Sequence, residues 1–363
     1  MKLQGVLDAL EQIAPTRNAE SWDNVGLLAG DPRQEVSGGL LTIDYTDDVA
    51  AERESLGCDL VIAYHPPIFS AIKRLTAGHL VFDAIRRGVA IYSPHTAWDV
   101  AEGGTNDLLC DVLGVQRRSP LKLSEAKATQ YKLVTFVPAD SLEKVSTALF
   151  DAGAGRVGKY SSCSFRNNGT GTFFGEEGTH PSVGKSGQLE QTAEVRIETV
   201  VPIGKVTAIV EALRKSHPYE EPAFDLNQLA AAPEGIGIGR LGEFDSPVER
   251  GELLARIKRG LEIDYLLVAG PTEGAVDRIA VCAGACGELL DDAISQKAQL
   301  YLTGEMRHHD AIKAARAGVT VVCTLHSNSE RAALKRLKQR LEALVPGLAC
   351  HLSRRDRDPF SIR

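Results

Sequence analysis

No apolar run in the sequence reaches the ~18 residues that a helix needs to cross a bilayer, so no segment reads as a membrane span. The opening stretch MKLQGVLDALEQIAP has no apolar signal core and no small-residue cleavage site. Acidic residues appear in it where an organelle-targeting peptide would carry Arg. It reads as an amphipathic helix, because Val6, Leu7, Leu10 and Ile13 share one face. Positive charge is also short. A net charge of −7 opposes a broad footprint on phosphate backbones, and the basic clusters at 332–340 and 354–357 amount to one helix face and one tail. Nucleic acid is therefore not an expected partner. Paired cysteines are missing too: there are seven, an odd number, at scattered positions. The closest pair, Cys282 and Cys286, lacks the spacing of a zinc knuckle or a redox motif. All read as small buried apolar residues of a reducing compartment, which makes a cytoplasmic location the expectation.

What remains is ordinary globular material, 43% apolar and 25% charged over 363 residues, enough for two domains or for one large domain carrying an insertion. The first third alternates strand and helix: GLLTI (39–43), a helix over 47–57, DLVIA (59–63), a helix over 78–88, then VAIY (89–92). The last third repeats the habit, with a helix over 287–297, a strand at Leu300 to Thr303, a helix over 306–317, a strand at Val319 to Cys323, and a charged helix from 328. Such alternation predicts parallel strands covered by helices, an α/β fold.

The middle third differs. VTFVPADSLEKVSTAL (134–149) and ETVVPIGKVTAIVEAL (198–213) share one plan, a strand ending in Val-Pro followed by a helix. Leu142, Val145 and Leu149 match Val206, Ile209 and Leu213 at helical spacing. This duplication predicts a ferredoxin-like β-α-β-β-α-β module over 130–230, with the Gly/Ser/Asn-rich stretch 161–188 as a loop and hairpin inside it. The outer domain, residues 1–129 and 231–363, is then discontinuous.

In open parallel sheets, ligands sit beyond the carboxyl ends of the strands. DLVIA ends in Tyr64-His65, and VAIYS ends in Pro94-His95 with Asp99 four residues on. LYLTG ends in Glu305, with His308 and His309 a turn later, and VTVVCT ends in Leu325-His326 with Glu330 beyond. Five of nine histidines thus follow strands of what reads as a single sheet. His65, Asp99, His326 and Glu330 form a candidate set of imidazole and carboxylate ligands suited to Zn, Fe or Mn. Three of them have a plainer reading. Glu330 also completes a capping box with Ser327, His65 also fits a core position, and Asp99 also fits a turn cap. His95 fits three roles, a ligand, the support of a ligand, or a proton carrier, and these stay open. Gly237-x-Gly239-x-x-Gly242 matches a dinucleotide fingerprint by letters, but a strand-like stretch follows it where a helix is needed. The acidic DYTDD (44–48) lacks the remaining ligands of a calcium loop and reads as a polar turn.

At these strand ends the sequence resembles a known family. SWDNVGLLAGDP (21–32), YHPPIF (64–69), SPHTAWD (93–99), YLTGEMRHHD (301–310), HSNSER (326–331) and the tail Asp356-Arg357-Asp358-Pro359 are similar to motifs of the Nif-three-like proteins, also called GTP cyclohydrolase type-two homologues. The middle module, with HPYEEPAFD (217–225), resembles the PII/CutA-like insertion of the longer members. The resemblance implies a two-lobed α/β outer domain, a toroidal homohexamer, and dinuclear metal sites holding two divalent ions. Carried over by motif, His65 and Asp99 hold one ion, His326 holds the other, and Glu330 bridges them. Many members have His-His-Pro where this chain has Tyr64-His65-Pro66. Either the Tyr64 phenol ligates as a phenolate or the second position is weakly held.

Two functions follow as expectations. The first is a metal-dependent hydrolase of a nucleotide or related heterocycle, with His95 or His309 shuttling protons and Glu305 orienting them. The second is a non-enzymatic metal-handling or regulatory ring whose PII-like module senses a small-molecule ligand. A third, an adaptor for a protein partner, has no exposed motif in its favour.

Overall fold

The N-terminal helix spans Leu3–Ile13 and buries Leu3, Val6, Ala9, Leu10 and Ile13 on one stripe. That stripe packs with Leu334, Leu337 and Leu341 of the long helix Asn328–Leu344, so the two ends of the chain share one core. The structure, a computed structural model, describes residues 1–124, 130–229 and 235–361. By contact the chain divides into two units: one takes in Met1–Ser124 and the residues from Gly235 onward, and the other is the segment between them. The junctions expected at 129/130 and 230/231 abut or fall within 125–129 and 230–234, outside the described residues. No helix among the described residues is long and apolar enough to cross a membrane.

The outer unit is mixed α/β with two sheets, where the sequence read as one. The first is ordered Gly26–Ala29, Ala90–Ser93, Leu60–Ala63, Gly38–Thr42, Ala349–Leu352, parallel except for its first pair. The second is ordered Leu267–Ala269, Thr320–Cys323, Leu300–Thr303, Ala275–Cys282, Gly237–Glu249, Arg117–Leu123. Its three middle strands up to Ala275–Cys282 run parallel and the others antiparallel. The parallel strands Gly38–Thr42, Leu60–Ala63, Ala90–Ser93, Leu300–Thr303 and Thr320–Cys323 are buried along their whole length, which is why they appear as short unbroken apolar runs. Two such runs look alike whichever sheet they join, so periodicity could not separate the sheets. The Gly237–Gly242 fingerprint lies in a strand. At Gly239, with φ +63°, an added Cβ would lie 2.8 Å from the Val281 carbonyl oxygen, so this glycine serves sheet pairing.

The middle unit has one four-stranded antiparallel sheet ordered Ser164–Phe174, Leu189–Pro202, Gln130–Pro138, Phe224–Leu229. Both Val-Pro strands lead through a 3-10 turn into a helix, Leu142–Asp151 and Val206–Ser216. The chain order is thus β-α-β-β-α-β. Val145, Leu149, Ile209 and Leu213 bury against Leu133, Val137, Ile197 and Val201. The stretch 161–188 is more regular than a loop, because Ser164–Phe174 forms an eleven-residue strand despite its polar, glycine-bearing sequence. It pairs with its neighbour along its entire length, and that pairing supplies the order its side chains do not.

Candidate metal centre

His65 follows strand Leu60–Ala63, and its backbone N–H still reaches the Ile43 carbonyl at 3.0 Å, so the ladder carries the residue to the sheet's end. His326 follows Thr320–Cys323 of the other sheet, and Glu330 lies one turn into helix Asn328–Leu344. The ligand atoms of His65, His326 and Glu330 lie within 4.8 Å of one another. His65 Nε2 is 3.2 Å from Glu330 Oε2, and His326 Nε2 is 3.4 Å from Glu330 Oε1. His65 Nε2 and Glu330 Oε2 are nonetheless both buried without a hydrogen-bond partner. Two buried polar atoms that face each other without a hydrogen bond are costly unless something binds between them, so these side chains fit a divalent cation. Ser327 makes no side-chain cap at the helix start, so the capping-box alternative for Glu330 is not realised.

The far side of each ring is held by a carboxylate. His65 Nδ1 lies 2.9 Å from Asp44 Oδ1, His326 Nδ1 2.7 Å from Glu305 Oε1, and His95 Nδ1 2.8 Å from Asp23 Oδ1. Such pairs fix the tautomer and leave Nε2 for a ligand or a proton. Burial would lower the His65 imidazole, but Asp44 and Glu330 outweigh it and hold the pKa up at about 10. Burial opposes the ionised Asp23, yet bonds from His95 and Thr96 keep its carboxyl below the usual range.

Tyr64 and Asp99 form a separate pair. The wholly buried Tyr64 hydroxyl donates to Asp99 Oδ1 and lies 2.9 Å from Thr105 Oγ1. Burial, then the charges of Asp99 and Glu330, push the phenol pKa far up, in keeping with the hydroxyl's donation to Asp99. Burial and the Glu330 charge raise Asp99 to about 6. His95 sits within ring contact of both groups, 5.5 Å from His65 and 6.0 Å from Tyr64. Its φ of +28°, and the +71° of Leu325 beside His326, are strained values for non-glycine residues, and both flank this centre.

The chain matches the family described as Duf34/NIF3 (NGG1p interacting factor 3) over residues 1–359. It belongs to that family. It is 36% identical over 346 residues to the GTP cyclohydrolase 1 type 2 homolog of Halalkalibacterium halodurans, covering 94% of this chain and 92% of that protein. It is 32% identical over 367 residues to the protein of the same name from Bacillus subtilis, covering 99% and 98%. Among solved structures, Staphylococcus aureus SA1388 aligns with a TM-score of 0.79 at 27% identity, covering 100% of this chain and 99% of that one. A Bacillus cereus protein related to NIF3 aligns at 0.68 and 32%, with the same coverage.

Of the residues singled out from sequence, His65, His326 and Glu330 meet, His95 and the Tyr64–Asp99 pair lie against them, and Glu305 supports His326. His309 is exposed, with its ring 5.3 Å from His308, on the surface of helix His308–Arg316. Asp44, read as part of a polar turn, instead holds His65. Asp23, Asn106 and Ser329 were not recognised. Asn106 is fully buried and bonds both the Asp99 carbonyl, at 3.0 Å, and the Ala283 N–H, at 2.9 Å. The tail motif has a local reason as well: Asp356 accepts from Ile43 N–H and from Arg331, and Asp358 accepts from the Ser327 hydroxyl.

Proposed function

We propose that the chain is a divalent-metal-dependent hydrolase acting on a nucleotide or related heterocycle. His65, His326 and Glu330 hold one ion, and Asp99, with Tyr64 beside it, lines a second position. The observation that carries this reading is the pair of buried, unpartnered atoms His65 Nε2 and Glu330 Oε2, with His326 Nε2 alongside. Zn, Fe or Mn suits such donors. The chemistry such an ion supplies is Lewis-acid polarisation of a water molecule and of the bond under attack. The chain's own residues do the rest. Asp23 fixes His95 through Nδ1 and leaves Nε2 to move a proton. Glu305 and Asp44 orient the two ligating rings. Trp22 and Phe69, both more than half exposed and with ring centroids 6.0 Å apart, offer a stacking surface for a flat heterocycle next to His95.

The test is metal content by mass spectrometry for wild type and Glu330→Gln, followed by turnover on a nucleotide panel with and without chelator. Bound metal in wild type, loss of metal in the variant and chelator-sensitive turnover support the reading. A folded wild type with no affinity for any of the three metals refutes it. The β-α-β-β-α-β order of the middle unit favours a second reading, a PII/CutA-like sensor in a metal-handling ring of six subunits. Metal without turnover, in a species sedimenting as a hexamer, would select it.

A further inference from the structure

The metal centre makes no use of HPYEEPAFD, which lies wholly in the middle unit. There His217 is buried, with Nε2 3.0 Å from the Phe136 carbonyl oxygen and Nδ1 accepting the Tyr219 N–H at 3.1 Å. The ring is therefore neutral, protonated at Nε2, and ties the 217–219 turn to the sheet. The Tyr219 hydroxyl in turn donates to Glu194 Oε1 at 2.6 Å. Glu194 lies across Gly171, where an added Cβ would fall 2.1 Å from Oε2, so a glycine is needed for the carboxylate to occupy that place.

Phe136, Gly171, Glu194 and Tyr219 help to wall a cavity of about 680 Å³, within the ~300–1,000 Å³ of small-molecule sites. Phe136, Phe173, Phe174 and Tyr219 give it an aromatic wall, while Pro181 and Val183 of the 175–188 connection line it as well. Its charge is one-sided. Glu194, Glu220 and Glu221 face a single lining cation, Arg196, whose guanidinium lies 2.9 Å from Glu198. An anion would meet net repulsion. A bare metal ion would meet an apolar wall, and among the described residues the convergent ligand set is the His65 group. A cation with an apolar body satisfies both features, because aromatic faces and a carboxylate attract the same charge.

We propose that this cavity binds a small organic ammonium ion, with its head against Glu194 and its body against the aromatic wall. The proposal does not depend on the metal centre, whose ligands all lie in the outer unit. The full-length protein is titrated calorimetrically with benzyltrimethylammonium, benzyl alcohol and benzoate, one aromatic body bearing a positive, a neutral and a negative head. The cation is expected to bind about tenfold more tightly than the alcohol, with benzoate weakest. Glu194→Gln, which can still accept from Tyr219, and Tyr219→Leu should each lower the cation's affinity about tenfold while metal content stays at the wild-type level. Equal affinity for cation and alcohol, an unchanged affinity in folded Glu194→Gln, or no binding of the cation at millimolar concentration overturns the proposal.

Discussion

Removing Asp44 should weaken the metal centre without touching a ligand atom. Asp44 Oδ1 sits 2.9 Å from His65 Nδ1 and fixes which nitrogen faces Glu330. In Asp44→Ala the ring is free to turn or to change tautomer, and the electron donation that makes Nε2 a better ligand is lost. Outer-shell losses of this kind cost about 10–100-fold in metal affinity. The Asp44 side chain is 44% exposed, so water replaces part of what it gives, and the lower half of that range is the better expectation. Asp44→Asn keeps an acceptor at the same place and loses only charge, so its loss should be about threefold to tenfold. Competition against a chromophoric zinc chelator at neutral pH measures both variants, with circular dichroism as the check on folding. An affinity within about twofold of wild type in folded Asp44→Ala would mean that His65 is oriented by the fold alone, and the account of the carboxylate shell would fail.

Three other outcomes are expected. Tyr64→His places an imidazole next to Asp99 and should raise the number of zinc ions bound per chain, and an unchanged stoichiometry would mean that position 64 does not serve a second ion. Arg240 is buried, donates to Asp107 at 2.6 Å and bonds the Gly237, Gly239 and Val100 carbonyls. Arg240→Met should cost about 3 kcal/mol in urea unfolding, the low end for a broken buried pair, because Arg118 still sits 3.3 Å from Asp107. Burial holds the His217 pKa below its ordinary 6.5, so the folded state prefers the neutral ring. Its stabilising contribution is present above that value and is lost as pH falls through 6.5 toward the depressed folded value. Hydrogen exchange in the middle unit should therefore speed up below that pH in wild type and lose this dependence in His217→Gln.

What was legible in the sequence was local. The Val-Pro strand–helix repeat carries its own signal, because residues 142, 145 and 149 and their counterparts 206, 209 and 213 repeat at helical spacing inside short windows. Histidines that end buried apolar runs are legible for the same reason, since a parallel strand announces its carboxyl end by where the apolar run stops. What was not legible depends on distance along the chain. Asp23 lies 72 residues from His95 and Asp44 lies 21 from His65, and nothing in either neighbourhood distinguishes a carboxylate behind a histidine from one in a polar turn. Asn106 and Ser329 look like ordinary polar helix residues until the second sheet is in place. His309 differs in distance: it lies six residues past the end of Leu300–Thr303, where His65, His95 and His326 lie two or three past theirs, and the stretch from Gly304 to Arg307 leaves it on an exposed helix start.

The centre is built across two sheets: the loops that follow strands of the second are bonded to one another, and the Asn106 side chain ties one of them to the first. The Gly284 carbonyl oxygen accepts from Gly304 N–H, Glu305 N–H and the Thr303 hydroxyl, while its N–H donates to Ser329. Asn106 then ties Ala283 to the Asp99 carbonyl. Side chains have no room at these joints. A Cβ on Gly284 would stand 3.1 Å from Glu330 Oε1 and 3.5 Å from His326 Nε2, and one on Gly304 would stand 2.7 Å from the Gly284 carbonyl oxygen and 2.9 Å from His326 Cα. With the loops bonded to one another at this separation, the His65, His326 and Glu330 atoms are held close by the protein alone. The cost of bringing the Glu330 carboxylate and the His65 and His326 imidazoles together would then be met by folding and not by binding. The strained φ values of His95 and Leu325 belong to the same account, since such conformations persist only where the surrounding structure over-determines them. Specificity for one metal over another should accordingly respond to Gly284 and Gly304, which set the spacing, as strongly as to the residues that ligate.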